Sequence, residues 1–177
     1  MIFDTKEIVL IAYLLLPGIL ANMSPVLFTK VNFLNKPVDL GKKIGETRML
    51  GDNKTYRGLF FGILMAILVA FIQIWVPVNT PYQITPQNFW YVGFLLGFGA
   101  LFGDIVESFF KRRIGIPPGK PWIPFDEIDH VIGALIMISF TFSLPLIPTM
   151  WIIILTTPIH IIINLVAYLL KLRKDMI

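Results

Sequence analysis

Five apolar runs, four of them long enough to cross a bilayer comfortably, constrain this chain before any motif is considered. They cover about residues 8–27, 59–76, 89–110, 131–147 and 151–170. A transmembrane helix needs about 20 apolar residues, with a range of about 17–25, so the fourth run sits at the lower limit. Inside hydrocarbon every backbone N–H and C=O must be satisfied internally, which leaves only helices and closed barrels. None of the runs alternates with a period of two, so helices are expected. Pro17 breaks the first run, Asn22 and Pro25 soften it, and Pro145 and Pro148 mark a hairpin between the last two. The expectation is an all-α integral membrane protein, a bundle of five transmembrane helices forming one membrane-embedded unit over residues 1–177. Charged residues make up only 15% of the chain, against about 25% in soluble domains. Cysteine is absent, which excludes disulfides and thiol nucleophiles. No cleavable signal peptide is expected, because Asp4, Lys6 and Glu7 precede the first run and no small-residue cleavage site follows it.

The loops alternate in charge. Residues 28–58 carry Lys30, Lys36, Lys42, Lys43, Arg48, Lys54 and Arg57; residues 111–129 carry Lys111, Arg112, Arg113 and Lys120; the tail carries Lys171, Arg173 and Lys174. The intervening segments 77–88 and 144–150 carry no charge. The excess of Lys and Arg marks the cytoplasmic side, so the N-terminus is expected outside and the C-terminus inside. Trp75, Tyr82, Trp90, Tyr91 and Trp151 gather at the opposite interface, as an aromatic belt does. Basic residues beside apolar spans fit topology and anionic headgroups, not nucleic acid. Gly93 with Gly97, and Gly99 with Gly103, form small-xxx-small pairs on the third helix, which suit close helix packing and make it central to the bundle.

Chemistry concentrates where the third run ends and the fourth begins. Asp104 and Glu107 precede Lys111 and Arg112; Asp126, Glu127 and Asp129 follow a Pro/Gly-rich loop. Asp104–Glu107 and Asp126–Asp129 have i, i+3 spacing, which places each pair on one helical face. Glu107 and Lys111 fit a plain i, i+4 ion pair, and Asp126 fits a helix N-cap. Neither explains so many acids at one interface, where ionisable groups are costly and usually functional. Hard oxygen ligands converging from two helices suit Mg2+ together with phosphates, and two ions about 3.5–4 Å apart would clamp a phosphoryl or nucleotidyl transfer. Lys111, Arg112 and Lys120 flank the acids and are placed for phosphate. Asn53, Lys54, Thr55 and Arg57 open the second helix, with Asn53 or Thr55 as its cap and free N–H groups that favour anions. His130 reads as a hydrogen-bonded interfacial side chain, a base or a ligand; His160, Asn22 and Asn164 read as polar packing contacts.

Ser108-Phe-Phe-Lys-Arg112, Lys120, Pro124 and the Asp126–Asp129 pair resemble the signature of the CTP:phosphatidate cytidylyltransferases, as do Gly103-Asp104 and Glu107-Ser108. The chain departs from that family's pattern in lacking its Lys-Asp and His-Gly-Gly elements and in having Asp126-Glu-Ile-Asp129 for Asp-Arg-x-Asp. Lys54-Thr-Tyr-Arg-Gly58 and Pro124-Phe-Asp-Glu-Ile-Asp129 are similar to the archaeal branch, the CDP-archaeol synthases, over nearly the whole chain. The resemblance implies transfer of a cytidylyl group from CTP to an unsaturated archaeal ether lipid phosphate. It further implies magnesium, two ions, on Asp104, Glu107, Asp126 and Asp129, with charge stabilisation from Lys111, Lys120, Lys54 and Arg57. The rival class is a small cation or metabolite transporter with its acidic site at the cytoplasmic interface. Transporter sites lie near the midplane, often at internal repeats, and no repeat is visible here. A purely structural or lipid-binding membrane protein leaves the acids unexplained.

Overall fold

The computed structural model describes residues 5–76 and 78–169, with the side chains of residues 26, 160 and 163–169 excepted. Asp4, Lys171, Arg173, Lys174 and the side chains of His160 and Asn164 lie outside the described residues. Five helices follow in order: α1 (Thr5–Leu27), α2 (Tyr56–Gln73), α3 (Phe89–Arg113), α4 (Phe125–Ile138) and α5 (Leu146–Leu169). Among the described residues, α1, α2 and α3 are long and apolar enough to cross a membrane. The loop between α1 and α2 adds a short antiparallel hairpin, β1 (Lys43–Ile44) with β2 (Thr47–Arg48).

α3 is the central helix and packs against α1, α2 and α4. Its glycine pairs serve two different neighbours. A Cβ on Gly97 would stand 2.6 Å from Ala66 Cβ, and one on Gly93 2.7 Å from Ile67 Cα, both on α2. A Cβ on Gly99 would stand 2.5 Å from the Gly133 carbonyl oxygen on α4, and one on Gly103 would run into the Asp129 carbonyl. Small residues let backbones approach where lipid supplies no hydrophobic drive between helices. The α3–α4 seam is thereby closed at the level where the acidic residues sit. Ile11, Leu14 and Leu15 of α1 pack with Val92 and Leu96 of α3 and with Ile138 of α4 to form the core.

Two expectations are corrected. α1 is continuous through Pro17 and Pro25. Proline at position 17 cannot donate to the Tyr13 carbonyl four residues back; Gln73 of α2 does so instead, its Nε2 donating at 2.7 Å. Neighbouring helices re-satisfy such freed groups in membrane proteins. α4 starts and ends earlier than residues 131–147. Its first turn takes in Asp126 and Glu127, which suit the positive end of a helix. It closes where Ser139 Oγ donates to Ile136 O and the Thr141 and Phe142 N–H groups both return to Ile138 O. Pro145 then disfavours helix at Leu144, and Pro148 lies in the first turn of α5, where no intrahelical donor is needed. The β1–β2 hairpin turns on Gly45-Glu46, with Gly45 at φ +63°. Glycine at the first central position is what such a two-residue turn favours. Strands of two residues carry no readable period.

Candidate functional site

The end of α3 and the start of α4 run antiparallel, so their i, i+3 carboxylates face one another. Oxygens of Asp104, Glu107 and Asp129 lie within 4.8 Å of one another. Glu107 is buried, and its Oε1 has no hydrogen-bond partner; Lys111 Nζ stands 3.6 Å from it. Asp129 Oδ1 accepts from the His130 N–H at 2.6 Å and lies 3.1 Å from His130 Nδ1. His130 is buried, so the imidazole fixes the orientation of that carboxylate. Asp126 stands outside this triplet: its Oδ1 accepts from Lys111 Nζ at 2.6 Å and its Oδ2 from the Trp122 N–H at 2.7 Å. Lys54 reaches across from the α1–α2 loop, and its ammonium donates to both oxygens of Asp104, at 2.6 and 2.7 Å.

These groups surround a cavity of about 360 Å³. Five carboxylates (Asp104, Glu107, Asp126, Glu127 and Asp129) face four cations (Lys54, Lys111, Arg112 and Lys120) there, with Asn53 at the rim. A smaller cavity of about 250 Å³ shares Asn53, Lys54 and Asp104 with it and reaches Asn22 and Thr55. Thr55 is the N-cap of α2, its hydroxyl accepting from the Gly58 N–H at 3.1 Å. Arg57, expected among the phosphate ligands, lines neither cavity. Its Nη1 donates to the carbonyls of Thr29 and Val31, at 2.9 and 2.8 Å, which ties the loop after α1 to the start of α2.

Lys54 is held in place from the loop side. The Val38 N–H donates to the Lys54 carbonyl at 2.8 Å. The Asp39 side chain is fully buried; it accepts from Arg48 Nη2 at 2.6 Å, Arg48 Nε at 3.2 Å, and the N–H groups of Gly41 and Leu50 at 3.0 and 3.1 Å. Burial pushes the Asp39 carboxyl up, but those donors and the Arg48 charge outweigh it and bring it to about 2. Arg113, at the end of α3, donates to the carbonyls of Ile44 and Arg48. The hairpin is thus clasped to the helix that carries Asp104 and Glu107.

Glu127, His130 and Asp39 are not among the site residues expected from sequence. Glu127 was visible as a third acid beside the paired ones. The Asp39–Gly41 spacing fits an aspartate turning back onto the backbone N–H two residues on. No sequence signal shows that Asp39 supports the cavity wall.

Three helices that meet the length and apolarity of membrane spans, with a mixed acidic and basic cavity let into one end of the bundle, define an integral membrane protein with a polar site at its edge. A family model described as CarS-like CDP-archaeol synthase matches residues 5–176. The CDP-archaeol synthase of Methanoculleus marisnigri is 32% identical over 169 residues, covering 90% of this chain and 98% of the relative. That of Methanopyrus kandleri is 35% identical and covers 92% and 89%. A solved structure of an intramembrane enzyme for archaeal membrane lipid biosynthesis is 28% identical, with a TM-score of 0.73 over 86% of this chain and 91% of its own. This chain belongs to the CDP-archaeol synthase family.

Proposed function

We propose that the protein is a Mg2+-dependent cytidylyltransferase that joins CTP to 2,3-bis-O-(geranylgeranyl)-sn-glycerol 1-phosphate, releasing CDP-archaeol and pyrophosphate. The observation that carries this reading, in a chain of this family, is the convergence of three carboxylates within 4.8 Å beside four cations in one cavity. The donor set fits a hard divalent cation: all its atoms are carboxylate oxygens, and Glu107 Oε1 is buried without a hydrogen bond. Asp104, Glu107 and Asp129 would hold it, with His130 orienting Asp129. Bound there, the ion would neutralise charge on the triphosphate and the leaving pyrophosphate. Asp126 would serve a second ion only by giving up Lys111.

The protein's own groups do the rest. The Lys54 ammonium, paired with Asp104, and the Lys111 ammonium, paired with Asp126 and Glu107, would turn to phosphate oxygens when CTP binds. Lys120, Arg112 and Asn53 line the same space, and Thr55 caps the helix whose N-terminus faces the smaller cavity. A lipid phosphate oxygen attacks the α-phosphorus of CTP, and the bond to the β-phosphate bridging oxygen breaks as pyrophosphate leaves. The nucleophile is already anionic, so no side chain has to remove a proton. Positioning and fixed charge carry the catalysis.

The arrangement extends to the membrane. We place the chain across the bilayer five times as one unit over residues 1–177, the fourth crossing made by α4 together with residues 139–145 that follow it, with the N-terminus outside, the C-terminus and cavity cytoplasmic, and the lipid reaching the site from within the leaflet. Purified protein in lipid nanodiscs, given radiolabelled CTP, Mg2+ and the lipid phosphate, is expected to form a labelled CDP-lipid. Cation flux in sealed vesicles without any CDP-lipid formation would replace this reading with the transporter.

A further inference from the structure

The polar cavity has an apolar neighbour. On the outer side of the α3–α4 seam lies a groove of about 440 Å³ between Phe102, Val106 and Phe110 of α3 and Phe125, Ile132 and Ile136 of α4. Glu107 and Asp129 line both spaces. A second apolar pocket, beside Tyr56 and Phe109, shares only Leu50 with the polar cavity and none of its carboxylates. Trp122 packs on Phe125 at 4.3 Å between ring centroids at the end of the groove nearest the loops. At the other end Phe102 and Ile136 are 50% and 56% exposed. The groove is therefore open to its surroundings along the helices and continuous with the carboxylate triplet at one point.

Its dimensions suit one occupant. Phe125 to Ile136 is twelve residues of α4, eleven rises of 1.5 Å or about 16 Å, of which about 10 Å lies beyond Asp129. One leaflet of a hydrocarbon core of about 30 Å is about 15 Å deep. The floor is backbone: Gly99, Gly103 and Gly133 hold the two helices in contact, and no Cβ fits between them. The two backbones meet there, so the groove lies on the bundle surface and does not pass between the helices, and its volume of about 440 Å³ falls in the range of about 300–1,000 Å³ typical of ligand sites.

We infer that this groove holds one isoprenoid chain of the lipid phosphate, running from the Glu107–Asp129 rim to Ile136, and that Ile136 and Phe102 set the chain length accepted. The inference rests on the transfer reaction proposed above and adds which face of the bundle admits the lipid.

The test compares Ile136→Trp with Leu68→Trp, a control on the exposed face of α2 where Leu68 is 52% exposed. Both are assayed in nanodiscs with lipid phosphates bearing two geranylgeranyl chains or two shorter geranyl chains. Ile136→Trp is expected to raise KM for the long-chain lipid about tenfold, which is ~1.4 kcal/mol or roughly two buried CH2 groups. KM for the short-chain lipid should rise less, and KM for CTP should hold. Leu68→Trp should change none of these. An unchanged long-chain KM in Ile136→Trp, or an equal rise in Leu68→Trp, overturns the assignment. A geranylgeranyl lipid phosphate with a terminal diazirine separates the two readings. Crosslinking to α4 at Ile132 or Ile136 supports the groove independently of turnover, and crosslinking confined to α2 removes it. Absence of CDP-lipid from the wild type with every lipid phosphate counts against the transfer reaction itself.

Discussion

Replacing Lys54 by Met removes the ammonium that spans the cavity while keeping the unbranched stem. Lys54 Nζ donates to both oxygens of Asp104, and both side chains are 23% exposed. Water still reaches Asp104 after the substitution, so the bundle should keep its thermal midpoint. The cost falls on the ligand. A hydrogen bond to a charged group contributes ~1.5–3 kcal/mol, which corresponds to a roughly ten- to hundredfold weaker CTP. Partial exposure puts the expected value toward the lower end, and the gap should narrow at high salt. Initial rates with CTP varied at saturating lipid, and the reverse, give the two constants separately. Lys54→Met should raise the CTP constant tenfold or more and leave the lipid constant within a factor of two or so, since one rim charge lies far from the chains. A rise in the lipid constant alone would refute the assignment of Lys54 to the triphosphate. Arg57, clamped to the Thr29 and Val31 carbonyls, is the less direct test of the same idea.

Other outcomes follow from the same geometry. Asp104→Asn, Glu107→Gln and Asp129→Asn should each raise the Mg2+ concentration for half-maximal turnover more than Asp126→Asn does, because only the first three belong to the oxygen triplet; a Mg2+ titration of all four gives the order. Gly133→Ala would drive a Cβ into the Gly99 carbonyl and should cost ~1–3 kcal/mol of stability, as overpacking does, read as a lower thermal midpoint together with weaker Mg2+ dependence. Asp39 has a folded-state pKa of about 2 against an ordinary 3.8. Its stabilisation of the hairpin is therefore complete above about pH 3.8 and is lost as the pH falls through about 2. Exchange protection of the Gly41 and Leu50 amides should fall across that window in the wild type and show no such step in Asp39→Asn. Cysteines placed at Asn35 and Gln83, both exposed in a chain without native cysteine, should label from opposite faces of the membrane; labelling from one face would contradict the five-span topology.

Much of this was legible in the sequence because membrane helices advertise themselves. Apolar runs located all five helices, and the glycine pairs of α3 marked a helix with neighbours on two sides. The i, i+3 acids on α3 and α4 pointed to a shared site, since spacing fixes a face when the helix is known. The start of α4 lies ahead of its apolar run, because the run begins at residue 131 while the acidic turn that opens the helix carries no hydropathy signal. Spacing hinted at helix over Asp126–Asp129, and Asp126 sits in the first turn with Pro124 at the cap. Continuity through Pro17 depends on Gln73, a residue 56 positions away whose role no local pattern reveals. The pairing of Lys54 with Asp104, and of Arg113 with the hairpin carbonyls, joins segments 50 or more residues apart. The split between Asp126 and the triplet likewise depends on Lys111 choosing one carboxylate over another, which spacing cannot decide.

Attack of a lipid phosphate on the α-phosphorus of CTP can be read from the fate of isotopic label. Nanodisc-embedded protein is supplied with Mg2+, lipid phosphate and CTP carrying label at either the α- or the γ-phosphorus. α-Label is expected to enter the lipid product and γ-label to leave as pyrophosphate, with both suppressed in Asp129→Asn. γ-Label in the lipid, or release of inorganic phosphate in place of pyrophosphate, would mean that a different bond is broken and would contradict attack at the α-phosphorus.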